Sequence, residues 1–300
     1  MNTLNPPARL AQDNWDQHWA SYTEAAESNP AQLYRRRIIC RLLRRFGCSG
    51  AARILDIGSG QGDLAVTLLN SFPEAEIAGL ELSETGVRIA ARKVPTARFV
   101  ACDLLQPPQD LGLHAWAQFA ACSEVLEHLD DPGLLLRNAA HYLAPGCMLL
   151  VTVPGGPKSR FDLHIGHRRH YTPDQLRALL EDSGFEVELA TTAGFPFFNL
   201  YRMVVIMRGR RLIQDIDSNS RTGSRGLARA VMSIFRALFA LNRFGTSWGW
   251  QTVAVARWNV EIPLAHARGS VPRNRAATSQ PSRDRQGAES CLQKPCKRPN

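Results

Sequence analysis

One stretch constrains this 300-residue chain more than any other: Ile54-Leu55-Asp56-Ile57-Gly58-Ser59-Gly60-Gln61-Gly62-Asp63-Leu64. A hydrophobic strand pattern runs into three glycines at alternate positions, and a helical pattern opens directly after them. Glycine permits the backbone turns that let a ligand lie against the main chain, and the helix start beyond offers unpaired N–H groups. A strand, a tight turn and a helix in this order form the opening unit of an open parallel α/β sheet, whose ligands sit over the carboxyl ends of the strands. The spacing Gly58-x-Gly60-x-Gly62 differs from the G-x-G-x-x-G turn that seats a pyrophosphate on a helix N-terminus. Asp56 points the same way, because a carboxylate at the strand end repels a pyrophosphate and suits a ligand with an ammonium group.

The chain continues in alternation. Strand patterns fall at 53–57, 76–81, 97–101, 117–121 and 148–153, with helical patterns at 62–71, 84–93 and 132–143 between them. Asp131 and Pro132 predict the start of the third of these helices, and Thr172-Pro173-Asp174-Gln175 reads as a capping box for a further helix that stops at Gly184. Strands at 185–191 and 251–258 follow. Ahead of the glycine turn, residues 31–46 predict a helix with Ile38, Ile39, Leu42 and Leu43 on its apolar face. Its arginines Arg35 to Arg37, Arg44 and Arg45 are expected on a solvated face, with the alternative that one arginine of this helix reaches a ligand carboxylate. The expected organisation is an N-terminal helical cap at 1–50, an α/β domain at 51–258 with a helical insertion at 193–249, and a disordered tail at 259–300.

Composition narrows the classes. Seven cysteines without a CxxC pair exclude a dense disulfide framework and a cysteine zinc site, and fit a reducing cytoplasm. The first 30 residues lack a basic start followed by an apolar run, so no secretory signal is expected, and no apolar run reaches 18 residues. Residues 1–201 carry 18 basic and 22 acidic side chains, whereas 202–258 carry 10 and 2. A mildly acidic α/β body argues against nucleic acid as partner, since phosphate contacts dominate that affinity.

Two acids close the other strand ends. Glu81 stands at the second strand's end, 19 residues after Gly62, where a carboxylate accepts from ribose hydroxyls. Asp103, after the third strand, is placed to accept from an adenine amino group, with Leu104 packing near the ring. ILDIGSGQGD (54–63), Glu81, Cys102-Asp103, SEVLEH (123–128) and LAPGCMLLVTVP (143–154), in this order and spacing, resemble the class I S-adenosylmethionine-dependent methyltransferases. The resemblance implies a Rossmann-like seven-stranded sheet with an antiparallel last strand and helices on both faces. It implies S-adenosyl-L-methionine as cofactor, with Asp56, Gly58 and Gly60 at its methionine part, Glu81 at the ribose and Asp103 at the adenine. Ser59, Gly62, Leu82, Leu104 and Ser123 are expected beside them.

If Ser123 to His128 form one helical turn, Glu124, Glu127 and His128 share a face. E-x-x-E-H with a later histidine resembles the magnesium sites of small-RNA 3′-end methyltransferases and of some quinone-biosynthesis O-methyltransferases. That resemblance implies a divalent cation at Glu124, Glu127, His128 and His167. Without a metal, His128 is the candidate general base, because neutral imidazole takes a hydroxyl proton near pH 7; His167 and His170 come next.

The acceptor is expected to be a small or lipid-linked molecule methylated on oxygen. Alternatives are an RNA substrate, a nicotinamide oxidoreductase on the same sheet, and a partner-binding protein that keeps the cofactor fold without activity. For the insertion, two readings stand: an apolar lid over the acceptor pocket, favoured by its helical stripes, and peripheral contact with the inner membrane face through residues 195–243, favoured by its aromatics and arginines.

Overall fold

The computed structural model describes residues 15–16, 29–217 and 225–259. The expected tail lies outside them apart from Asn259. Helix α1 (Pro30–Arg45) precedes β1 (Arg53–Ile57), α2 (Asp63–Ser71), β2 (Glu76–Glu81), α3 (Glu84–Lys93), β3 (Arg98–Ala101), β4 (Ala117–Ser123), α4 (Pro132–Ala139) and β5 (Leu143–Pro154). Then come α5 (Arg160–His164), α6 (Pro173–Asp182), β6 (Phe185–Phe195), α7 (Phe197–Asp217), α8 (Arg225–Leu238), β7 (Arg243–Phe244) and β8 (Gln251–Trp258).

The strands form one sheet in the order β3-β2-β1-β4-β5-β8-β6-β7. β1 to β5 are mutually parallel, and β8 runs antiparallel between β5 and β6. The Rossmann-like class and the antiparallel last strand hold, but among the described residues the sheet has eight strands rather than seven. The extra one, β7, has two residues inside the insertion and pairs Phe244 with Ala193 and Arg243 with Phe195. That pairing, with Ala193 opposite Gln251, also carries β6 four residues past its expected end.

Side-chain alternation divides the core between the two faces of the sheet. Ile54 of β1 packs with Ile39, Leu42 and Leu43 of α1 and Leu64 and Leu68 of α2. Leu55 and Ile57 pack with Leu135 and Leu136 of α4 and Leu176 and Leu180 of α6. Each such side chain, fully buried, is worth roughly 1.5–3 kcal/mol relative to exposure. The helix starts form as their residues predict: Asp131 accepts from Leu134 N at 2.9 Å, and Thr172 and Gln175 cap α6 reciprocally. α4 ends four residues before its expected limit, because the chain tightens into a 3₁₀ turn at Ala140–Tyr142 and Leu143 then pairs with Ala117.

The insertion has a small aromatic core of its own. Phe198 and Tyr201 of α7 meet Phe235 of α8, Phe239 beyond it and Ala31 of α1. It leaves the sheet at the end of β6 and returns at the start of β8, so it rises from the edge that carries the glycine turn.

Candidate active site

Gly58 leaves β1 at φ +72°, and a Cβ there would lie 2.4 Å from a methyl of Val125. Gly62 caps α2 at φ +80°, with a would-be Cβ 2.9 Å from that of Ala90. Both positions exclude side chains by conformation and by space. The turn is fastened to β2: Gly58 N and Ser59 N donate to Leu80 O, and Gly60 N donates to Glu81 Oε2 at 2.8 Å. Glu81 Oε1 accepts from Ser83 N at 3.0 Å, so its carboxylate is held across the ends of β1 and β2.

Above this turn lies a cleft of about 650 Å³, its open mouth included. Gly58, Glu81, Leu82, Asp103 and Leu104 line one side; Glu124, Val125 and His128 line the other. The remaining expected cofactor residues form the frame behind that wall. Ser59 is buried, Gly60 holds Glu81, Gly62 packs on α3, and the Ser123 hydroxyl shares a 2.8 Å hydrogen bond with Thr152. Asp56 is 2% exposed, and its Oδ2 has no hydrogen-bond partner. Burial, then the charges of Glu81 and Asp63, push its pKa up to about 7. An orphaned carboxyl of this kind gains from any cationic group placed over it.

Across the cleft stands Trp15, which the sequence did not single out. Its ring meets His128 edge-on with centroids 4.8 Å apart. Neighbouring Asp16 moors it, accepting from Ser83 Oγ at 2.6 Å and Thr85 N at 2.9 Å at the start of α3.

The expected helical turn at 123–128 does not form. Glu124 sits at φ +59°, and only Leu126–His128 make a 3₁₀ turn. Glu124 therefore does not join Glu127, His128 and His167. Its carboxylate pairs with Arg35 Nη2 at 2.9 Å and accepts from Gln251 Nε2 at 2.9 Å. Arg35 Nε in turn donates to Gln251 Oε1 at 2.8 Å, closing a buried triad drawn from α1, the β4 loop and β8. Burial pushes the Glu124 carboxyl up, and Arg35 opposes it. Arg35 is 7% exposed, against the expectation of a solvated arginine face. A signal for this was present: Arg35 falls in step with Ile38, Ile39, Leu42 and Leu43, the spacing of one helix face.

Glu127 is fully buried, and neither carboxylate oxygen has a hydrogen-bond partner. Its Oε1 lies 3.9 Å from His128 Nε2 and 3.9 Å from His167 Nε2. One ligand atom from each of the three lies within 4.8 Å of the others. Burial, then Glu124, push the Glu127 carboxyl well above the usual range. Burial, then His128, push His167 down to about 2, so its imidazole is neutral.

Asp162, His167 and His170 form a second compact group. There the carboxylate already accepts two hydrogen bonds from Arg202, at 2.9 and 3.0 Å, and two from Ser159. Burial pushes Asp162 up, but Arg202 and Ser159 outweigh it and hold its pKa at about 2. A cation there would meet the Arg202 guanidinium, so the Glu127 group is the better cation site of the two.

An acid-tipped β2, a glycine turn over a buried aspartate and an antiparallel β8 agree with what comparison with known proteins finds. Residues 31–190, more than half of the chain, match the family described as Methyltransferase domain, and the chain belongs to the class I S-adenosylmethionine-dependent methyltransferases. Trans-aconitate 2-methyltransferase of Variovorax paradoxus (strain S110) is 33% identical over 133 residues, 42% of this chain and 49% of the relative. Ubiquinone biosynthesis O-methyltransferase of Xanthomonas axonopodis pv. citri (strain 306) is 28% identical over 164 residues, 46% and 64% of the two chains. The chain spans about half the length of the trans-aconitate relatives it matches. Phosphoethanolamine N-methyltransferase 2 of Haemonchus contortus, solved with S-adenosyl-L-methionine, shares the fold at a TM-score of 0.54, 17% identity and coverage of 85% of this chain and 61% of that one. This membership sets aside the nicotinamide oxidoreductase.

Proposed function

We propose that this chain transfers a methyl group from S-adenosyl-L-methionine to an oxygen of a small or lipid-linked acceptor. The observation that carries the reading is a cleft with carboxylates on its cofactor side and His128 on the wall opposite. When bound, the cofactor supplies a methyl carbon on a positively charged sulfur, which leaves with the bonding pair. Asp56 favours the cofactor's positive groups from beneath the turn, Glu81 accepts from the ribose hydroxyls, and Asp103 accepts from the adenine amino group. The N–H groups and small atoms of Gly58 to Gly60 let the methionine part approach the backbone.

His128 takes the acceptor's hydroxyl proton as that oxygen bonds the methyl carbon. Glu127 Oε1 stands 3.9 Å from its Nε2. Trp15 holds the ring from the other side and narrows the mouth. Placing oxygen, carbon and sulfur in line supplies much of the acceleration. All five described cysteines are free and buried, which supports a reducing compartment such as the cytoplasm.

A second reading is favoured by the orphaned Glu127 carboxylate. Two imidazoles and one carboxylate suit a divalent cation, and the donors favour a first-row metal such as manganese or zinc at least as well as magnesium. Glu127, His128 and His167 would then hold the ion, which lowers the pKa of an acceptor oxygen, and His128 would not be the base. Methyl transfer to hydroxylated acceptors, with and without EDTA and with each metal restored, separates the two. Activity unchanged by EDTA supports His128 as base. Loss on chelation and recovery with one metal supports the cation site.

A further inference from the structure

The insertion carries apolar side chains on its outside as well as in its core. On α7, Leu200, Met203 and Met207 are exposed at helical spacing, with Met207 74% exposed. Ile234 of α8, Leu241 beyond it and Trp248 (67% exposed) add to the outward surface. On α7 the exposed Leu200, Met203 and Met207 lie opposite Phe198 and Tyr201, which the same helix buries inward. Arg208, Arg236 and Arg243 are exposed among them. Residues 202–258 hold 10 arginines and 2 acids, and of those arginines Arg202 is buried on Asp162 and Arg257 pairs with Glu188 on the sheet. No helix among the described residues is long and apolar enough to cross a membrane.

Apolar side chains and a tryptophan flanked by arginines match a surface that lies in a headgroup layer. We propose that the outer face of the insertion docks on an anionic phospholipid bilayer, seating Met207, Ile234, Leu241 and Trp248 among the upper acyl chains with the arginines at the lipid phosphates. Charge argues against a second copy as occupant, because a symmetric contact would set the exposed Arg208, Arg236 and Arg243 against their own copies. The insertion springs from the sheet edge that carries the cleft, so docking brings the cleft mouth close to the lipid surface. The inference does not depend on the methyl-transfer reading, and its test uses no turnover.

The test is vesicle sedimentation of the full chain, with S-adenosylhomocysteine titration and melting temperature as controls of folding. Vesicles of phosphatidylglycerol and phosphatidylcholine in equal parts should take the chain down, and pure phosphatidylcholine should not. High salt should weaken binding, and Arg236→Glu and Arg243→Glu should each weaken it by roughly fivefold or more. Met207→Asp with Ile234→Asp should weaken it on the order of tenfold at unchanged melting temperature. Trp248 emission, identified with Trp248→Phe, should shift to shorter wavelength on the anionic vesicles. Equal partition to both vesicle types, no partition to either, or variants that bind as the parent does would each overturn the proposal. So would light scattering that shows a dimer which Met207→Asp with Ile234→Asp dissociates.

Discussion

On the β1–β3 side of the cleft, each strand end contributes a turn and one carboxylate, and the fastenings are short in sequence. Gly60 reaches Glu81 across 21 residues, and Ser83 reaches Glu81 across 2. On the β4 side the fastenings span the chain: Arg35 reaches Gln251 across 216 residues, and Gln251 reaches Glu124 across 127. The first side is built from backbone geometry, with Glu81 held by backbone N–H groups and Asp56 Oδ2 buried without a hydrogen-bond partner beneath the turn. The second is built from buried charges that answer one another, in the Arg35–Glu124–Gln251 triad and the Asp162–Arg202 pair. Local turns make a binding surface that any chain with the right spacing can form. Long-range ion pairs lock α1, β8 and the insertion around it, and make that lock costly to break.

The sharpest test of this division is His128→Ala. Turnover should fall by about 10²–10⁴-fold, the usual worth of a general base, while S-adenosylhomocysteine affinity stays within a few-fold. Equal losses in both would merge the two sides. Arg35→Met should cost about 3–5 kcal/mol in denaturant unfolding, because it strands Glu124 without its cation. Arg35→Met with Glu124→Met should recover most of that loss, and an additive double loss would show that the triad is not one unit.

The pH dependence separates the sides as well. Asp56 is raised by burial to about 7, so it is protonated in the folded apo chain below that value and ionised above it. Its share of apo stability is fully present below the unfolded carboxyl value and is lost as pH rises through 7. Asp162 is lowered to about 2, so its share is present above the unfolded value and lost as pH falls toward 2. A cationic ligand favours the ionised Asp56, so S-adenosylhomocysteine should bind roughly tenfold more tightly at pH 8 than at pH 6. Asp56→Asn should flatten that slope, and an unchanged slope would remove Asp56 from the site. The smallest effect belongs to Trp15→Ala, which should raise the KM for acceptor by a few-fold and leave melting temperature unchanged.

Legibility in the sequence follows the same line. The strands, the glycine turn, Glu81 and Asp103 are local patterns, and the caps at Asp131 and Thr172 are signalled within four residues. The partners of Glu124 are not local, and its positive φ breaks the helical turn that would have joined it to Glu127 and His128. Trp15 reaches His128 across more than a hundred residues, a contact no periodicity announces. β7 has two residues, too few for any alternation to appear. Arg35 alone left a trace, a charge in step with an apolar stripe, which marks a buried arginine whose partner the stripe cannot name.

Calorimetric titration of S-adenosylhomocysteine into the parent chain, Asp56→Asn and His128→Ala tests the central claim most directly. The cleft described here predicts micromolar binding to the parent, a loss on the order of tenfold or more in Asp56→Asn, and parent-like affinity in His128→Ala. Folded parent protein that binds nothing, or His128→Ala weakened as much as Asp56→Asn, would contradict it.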